Sequence, residues 1–170
     1  LRSAEYRIRG ALGQGTFAQV FLCLHVQSGR EVAVKIVKNK PAYTRQATVE
    51  IDVFRALQEE DKATTVPDTD EGKAPPDRDY MVKLLCYFMH QSHLCLVFEL
   101  LGLNLYEVLK RRQFRGLPLP LVRTIAMQSV EGIRQLSQNK NVVHCDLKPE
   151  NVLLISDDVV ETFVHAGDVR

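Results

Sequence analysis

The sequence predicts an α+β fold: a five-stranded antiparallel sheet with one helix, followed by a helical region. Three observations carry this. Three short runs of β-branched and apolar residues lie near the N-terminus, separated by glycine-containing connections. A helical apolar stripe and a second pair of strand-like runs come next, and after residue 102 the apolar residues recur at helical spacing. The 170 residues are 45% hydrophobic and 25% charged, an ordinary globular composition with enough chain for one sizeable core or two small ones. Lys and Arg (22) nearly balance Asp and Glu (21), so no net field favours nucleic acid or a membrane surface. Because there is no apolar run of about 18 residues and no apolar signal core at the start, neither a membrane span nor secretion is expected. A cytoplasmic or nuclear setting is expected instead.

Strands are predicted over 6–12, 19–26 and 31–37, joined as an antiparallel meander. Their first connection, Gly13-Gln14-Gly15-Thr16-Phe17-Ala18, offers backbone N–H groups bare of side chains at two positions, which suits close approach to a phosphate chain. The same letters fit a dinucleotide fingerprint, but that fold starts a helix directly after the glycines, and here a strand pattern follows. A plain hairpin turn stays open as the simpler reading. In the third strand, the period of two sets Val32, Val34 and Ile36 on one face and Ala33, Lys35 and Val37 on the other. Both faces are apolar, so Lys35 is expected to be buried with a counter-charge. The helix predicted over 44–60 supplies one, since Glu50 lies beside the inward stripe of Ala47, Ile51, Phe54 and Leu57.

Residues 61–79 carry three prolines and six acidic side chains, Asp61, Asp68, Asp70, Glu71, Asp77 and Asp79, with little that is apolar, and read as a flexible solvated insert. Two further strands are predicted over 81–89 and 93–100 across a tight turn at His90-Gln91-Ser92-His93. Asn104 is placed to cap a helix over 105–112 whose basic end, Lys110, Arg111 and Arg112, suits the helix dipole. A second helix is predicted from about 118 to 138, with Val122, Ile125, Ser129, Ile133 and Leu136 inward. Cys23, Cys86, Cys95 and Cys145 form no C-x-x-C pair, and three of them lie in strand-like runs as small hydrophobes.

The densest chemistry is the octet His144-Cys145-Asp146-Leu147-Lys148-Pro149-Glu150-Asn151, which holds a base, a cation and a metal ligand at fixed spacing. Apolar runs on both sides, 141–143 and 152–155, are predicted to anchor it as short strands.

Taken together, Leu-Gly-Gln-Gly-Thr-Phe-Ala-Gln-Val, Val-Ala-Val-Lys, the helical Glu50 and His-Cys-Asp-Leu-Lys-Pro-Glu-Asn resemble a eukaryotic protein kinase. Within that family the chain is most similar to the Yak branch of the dual-specificity tyrosine-regulated (DYRK) kinases. The phrases Lys38-Asn39-Lys40-Pro41-Ala42-Tyr43, Phe88-Met89-His90-Gln91-Ser92-His93 and Gln113-Phe114-Arg115-Gly116-Leu117 carry the branch. The resemblance implies a bilobal kinase-like fold, with residues 1–101 as N-lobe and hinge and 102–170 as a partial C-lobe. Mg-ATP would bind between the lobes and its γ-phosphoryl group would pass to serine or threonine of protein substrates, with tyrosine autophosphorylation.

The resemblance also implies residue roles. Asp146 would orient the substrate hydroxyl and take its proton, Lys148 would stabilise the transferring group, and Asn151 would bind Mg2+. ATP would be held by Leu12, Gly13, Gln14, Gly15, Thr16, Phe17 and Ala18, and by Lys35 with Glu50. Phe98 would back the adenine pocket, Glu99, Leu100 and Leu101 would form the hinge, and Val20, Ala33 and Leu153 would sandwich the base. Three departures stand out: Ala18 replaces a third glycine, Cys145 replaces the usual arginine, and no Asp-Phe-Gly follows the octet, although Asp168 lies downstream. These 170 residues alone are therefore expected to be a poor catalyst, and a non-catalytic pseudokinase or scaffold is the alternative. Against that alternative stand Lys35, Glu50, Asp146, Lys148 and Asn151, all present.

Overall fold

A computed structural model of the chain describes residues 5–59, 80–139 and 142–156. The acidic insert at 61–79, with its expected mobility, and Asp168 lie outside the described residues. Two compact units divide the chain at Leu100 and Leu101.

The first unit is a five-stranded antiparallel sheet and one helix. In chain order it contains β1 (Tyr6–Gln14), β2 (Ala18–His25), β3 (Arg30–Val37), α1 (Pro41–Glu59), β4 (Leu84–His90) and β5 (His93–Glu99). Spatial order is β1-β2-β3-β5-β4, every neighbour antiparallel. Tight turns explain the pairing: Gln91 and Ser92 between β4 and β5 both adopt positive φ, which matches the right-handed twist of a two-residue hairpin. Helix α1 begins three residues before the stripe predicts, because Pro41 is tolerated in a first turn where no N–H is needed.

The predicted alternation in β3 is observed. Val37 packs with Ala47 and Ile51 of α1 and with Leu84, Leu94 and Leu96, while Val32 and Val34 pack on the opposite face with Cys23, Cys95 and Val97. The helix-free face is closed by curling. Across a flat sheet the edge strands β1 and β4 would stand about 19 Å apart, four spacings of about 4.8 Å. Instead the Tyr6 and Phe88 rings stack at 5.4 Å, and Tyr6 Oη lies 3.3 Å from Cys86 Sγ. Backbone irregularities in β1 between Ile8 and Gly10 and between Ala11 and Gly13 help the sheet to bend. Burial there pushes the Cys95 thiol up to about 11, with Cys23 adding to the effect, so this cysteine behaves as a neutral hydrophobe.

The second unit contains α2 (Leu105–Arg111), α3 (Leu119–Arg134), a π-helical turn (Gln135–Asn139) and a 3-10 turn (Pro149–Asn151). Asn104 caps α2 as predicted, its Oδ1 accepting the Glu107 N–H at 2.8 Å. Two expectations are corrected. No residue of α3 is buried, and Val122 and Ile133 are exposed at 42% and 39%, whereas Ile125, Ser129 and Leu136 are partly covered. A helix stripe is buried only where another element lies on it, and a unit this small has too much surface for its volume to cover every stripe. Of the runs predicted to flank the octet, residues 142–143 and 152–155 are not strands either, and Asn141 lies outside the described residues. Residues 152–155 make one bridge, Leu153 with Asn104, and bonds from Gly102, Leu105 and Leu154 amides complete the contact. The partner segment turns into α2 at Leu105, so no ladder can extend.

Candidate functional site

On the first unit the site is built on the sheet face that carries α1. Register across the strands places Val20 opposite Lys35 and Ala33 opposite Phe98, and opposed residues project to the same side. Val20, Ala33, Lys35 and Phe98 therefore share one face. Phe98 is fixed there by an edge contact with Phe54 of α1, ring centroids 5.3 Å apart.

Lys35 meets Glu50 as predicted from their shared apolar setting. Its Nζ donates to both carboxylate oxygens at 2.7 Å. The side chains remain 28% and 32% exposed, so the pair is half-buried rather than buried as expected. The physical reason is hydration: a charged pair loses several kcal/mol per ion when fully desolvated, so partial exposure keeps part of its water shell. An ammonium has three N–H donors, and two point at Glu50. The third is left for an anionic oxygen.

Beside this pair runs the glycine-rich connection. Gly15 N–H donates to Ala18 O at 2.9 Å, closing a tight turn around Thr16 and Phe17. A Cβ at Gly13 would meet no atom within 4 Å, and one at Gly15 only Ala18 O at 3.9 Å; neither residue has a positive φ. Neither crowding nor backbone conformation explains glycine at these positions. Bare backbone facing open space is what a phosphate chain requires. Ala18, where the family has a third glycine, is a buried strand residue paired with Val37, so its methyl is accommodated in the core. Leu12 is half exposed, at 51%, and Gln14 ends β1. At the end of β5, Glu99 Oε1 accepts the Lys83 N–H at 2.8 Å, and Leu100 is the last residue of this unit.

On the second unit, which also holds Leu101 and Leu153, the octet is folded by its own polar groups. Cys145 has φ 59, a left-handed conformation that costs a non-glycine residue about 1 kcal/mol or more. Asp146 N–H donates to His144 O at 2.8 Å, closing this kink. Proline at the start of the 3-10 turn then brings Asn151 back toward Asp146. Asn151 Nδ2 donates to Asp146 O at 2.8 Å and to Asp146 Oδ2 at 3.1 Å, while Lys148 Nζ donates to Oδ2 at 2.8 Å. Asp146, Lys148 and Asn151 are thus one hydrogen-bonded cluster. The Lys148 ammonium holds the Asp146 carboxyl below the usual carboxylate range, and Asp146 in turn raises Lys148.

Both acceptors facing the Asn151 amide need a donor, so its nitrogen must point at Asp146. Its Oδ1 is left to accept a bond or ligate a cation, and no described residue occupies it. An amide oxygen next to a carboxylate is a hard donor set that fits Mg2+.

The match of the protein kinase domain family spans residues 6–164. This chain belongs to the protein kinase family. It is 43% identical over 150 residues to the serine/threonine-protein kinase ppk15 of Schizosaccharomyces pombe, covering 88% of this chain and 26% of that protein. Identity is 42% over 150 residues to a dual specificity protein kinase YAK1 homolog of Arabidopsis thaliana, with 88% and 14% covered. The dual specificity protein kinase YAK1 of Saccharomyces cerevisiae is 36% identical over 160 residues, with 94% and 18% covered. The similarity to the Yak and DYRK kinases read from the motifs is therefore borne out, and the chain spans about a quarter or less of the length of these relatives.

Sequence reasoning singled out Lys35, Glu50 and the octet but overlooked Lys38. Its Nζ donates to Gly15 O and Thr16 O, both at 3.0 Å. Odd spacing from Lys35 was the available signal, since it sets the two lysines on opposite faces of one strand.

Proposed function

We propose that this chain carries machinery for transferring the γ-phosphoryl group of Mg-ATP to serine and threonine hydroxyls of protein substrates, with the tyrosine autophosphorylation that the resemblance to the DYRK kinases implies. The observation that carries the reading is the Lys35–Glu50 pair at 2.7 Å, beside backbone left bare at Gly13 and Gly15. Lys35 offers its remaining N–H to a phosphate oxygen, and Glu50 keeps it aimed. Val20, Ala33 and Phe98 form an apolar surface suited to the adenine ring, next to Glu99, Leu100 and Leu101 as the hinge.

Asp146 orients the attacking hydroxyl by accepting its hydrogen bond. Being a weak base below the ordinary carboxylate range, it receives the proton only as the oxygen bonds to phosphorus and becomes acidic. ADP leaves from the far side. Lys148 gives one donor to Asp146 and has two left for the phosphoryl oxygens. Asn151 Oδ1 would hold Mg2+, which when bound neutralises charge on the phosphate oxygens.

The reading is tested with the full-length protein, labelled Mg-ATP and a generic serine-rich and threonine-rich acceptor protein. Wild type should label the acceptor on serine and threonine and itself on tyrosine. Asp146→Asn should lower transfer about 10²- to 10⁴-fold, the usual contribution of a positioned base. Equal labelling by wild type and Asp146→Asn, or binding of nucleotide without any transfer, would overturn it, the latter in favour of a scaffold.

A further inference from the structure

The turn between β1 and β2 is short, yet every one of its carbonyls is engaged by one residue. Lys38 Nζ donates to Gly15 O and to Thr16 O at 3.0 Å, and the Lys38 backbone N–H donates to Phe17 O at 3.0 Å. The last bond continues the ladder past Ala18 opposite Val37. The alternation of β3 therefore extends to position 38 and places the Lys38 side chain on the face of Val34 and Ile36, opposite Lys35.

Peptide geometry turns this into a directional argument. No described peptide is cis, and in a trans peptide the C=O and the following N–H point in opposite directions. Gly15 O shares its plane with the Thr16 N–H, and Thr16 O with the Phe17 N–H. Drawing both carbonyls toward Lys38 aims both amides toward the face of Lys35. Among the described residues no protein acceptor takes either amide.

A second anchor holds the same tip. The Phe17 ring meets Tyr43 of α1 edge-on at 5.0 Å, and Lys40 Nζ lies 5.3 Å over the Tyr43 ring. Tyr43 and Glu50 are seven residues apart, nearly two turns, and so share a face of α1. The turn is thereby tied to the helix that aims Lys35.

We infer that Lys38 is a positioning residue for the nucleotide: from behind the glycine-rich turn it rotates two peptide planes so that the Thr16 and Phe17 amides, together with Lys35, face the phosphate chain. The inference rests on the nucleotide reading above and extends it to a residue that touches no substrate. Removing the tether leaves the amides in place but lets the turn sample orientations that do not bind, which weakens apparent affinity by the fraction of competent states.

The experiment compares wild type, Lys38→Ala and Lys38→Arg in the full chain by calorimetric titration with two probes, adenosine and an imido-bridged ATP analogue with Mg2+. Lys38→Ala should weaken the analogue about 3- to 10-fold and leave adenosine unchanged. Lys38→Arg, which keeps a cation able to reach two carbonyls, should stay within about twofold of wild type. Without ligand, amide hydrogen exchange at Gly15 and at residue 38 should accelerate in Lys38→Ala only. Unchanged analogue affinity, equal weakening of both probes, or unchanged exchange would overturn the inference. Should wild type bind neither probe, the nucleotide reading falls, and the exchange comparison still decides whether Lys38 holds the turn.

Discussion

Asp146 shows how a single residue's surroundings set its chemistry. Its carboxylate shares Oδ2 between Lys148 and Asn151, and the hydrogen bond from Lys148 contributes most to holding its titration below the ordinary value. A lowered carboxyl pKa favours the charged form, so the pair is intact above the usual carboxylate range and is lost as pH falls through the lowered value. Carboxyl-detected NMR titration should place Asp146 below an ordinary aspartate, and Lys148→Met should return it upward. An unshifted wild-type Asp146 would contradict the cluster. The left-handed φ at Cys145 belongs to this scale too: motif spacing located the residue, but nothing in the letters announces its backbone conformation.

Among the elements, the strands and helices with strong periodicity were legible from the sequence. The face assignment in β3 and the Asn104 cap follow from spacing, because each depends on positions a few residues apart in a regular element, and the Lys35–Glu50 pair follows from the faces that spacing gives each partner on β3 and α1. Replacing Asn104 with Ala removes the acceptor for the Glu107 amide and should destabilise the second unit by about 1 kcal/mol in urea unfolding, whereas Asn104→Asp should be nearly neutral. Equal stability of Asn104→Ala and wild type would mean that water caps the helix equally well. Less legible was the run after the octet, 152–155, which has strand composition but, among the described residues, only a single bridge to Asn104. Strand propensity is a property of residues, while a ladder needs a partner that stays extended, and this partner becomes α2.

For the whole molecule, the sheet of the first unit is the stabilising centre. Leu96 is fully buried on the α1 face and Val97 nearly so on the other, so adjacent residues of β5 anchor both cores. Leu96→Ala should cost about 2–5 kcal/mol of first-unit stability in chemical unfolding. A loss below about 1 kcal/mol, the range of surface substitutions, would show that the core closes over the gap.

By itself the sequence determined the α+β class, the order of the sheet strands and helices and the kinase family, and it singled out Lys35, Glu50, Asp146, Lys148 and Asn151 as candidate site residues, since periodicity and motif spacing are local along the chain. Tertiary structure alone decided that the sheet rolls until Tyr6 meets Phe88, and that the Lys35–Glu50 pair is half-buried. It alone also set Lys38 behind the glycine-rich turn. Each of these depends on residues more than ten positions apart being brought into contact, and distances of that kind are fixed by packing rather than by spacing along the chain.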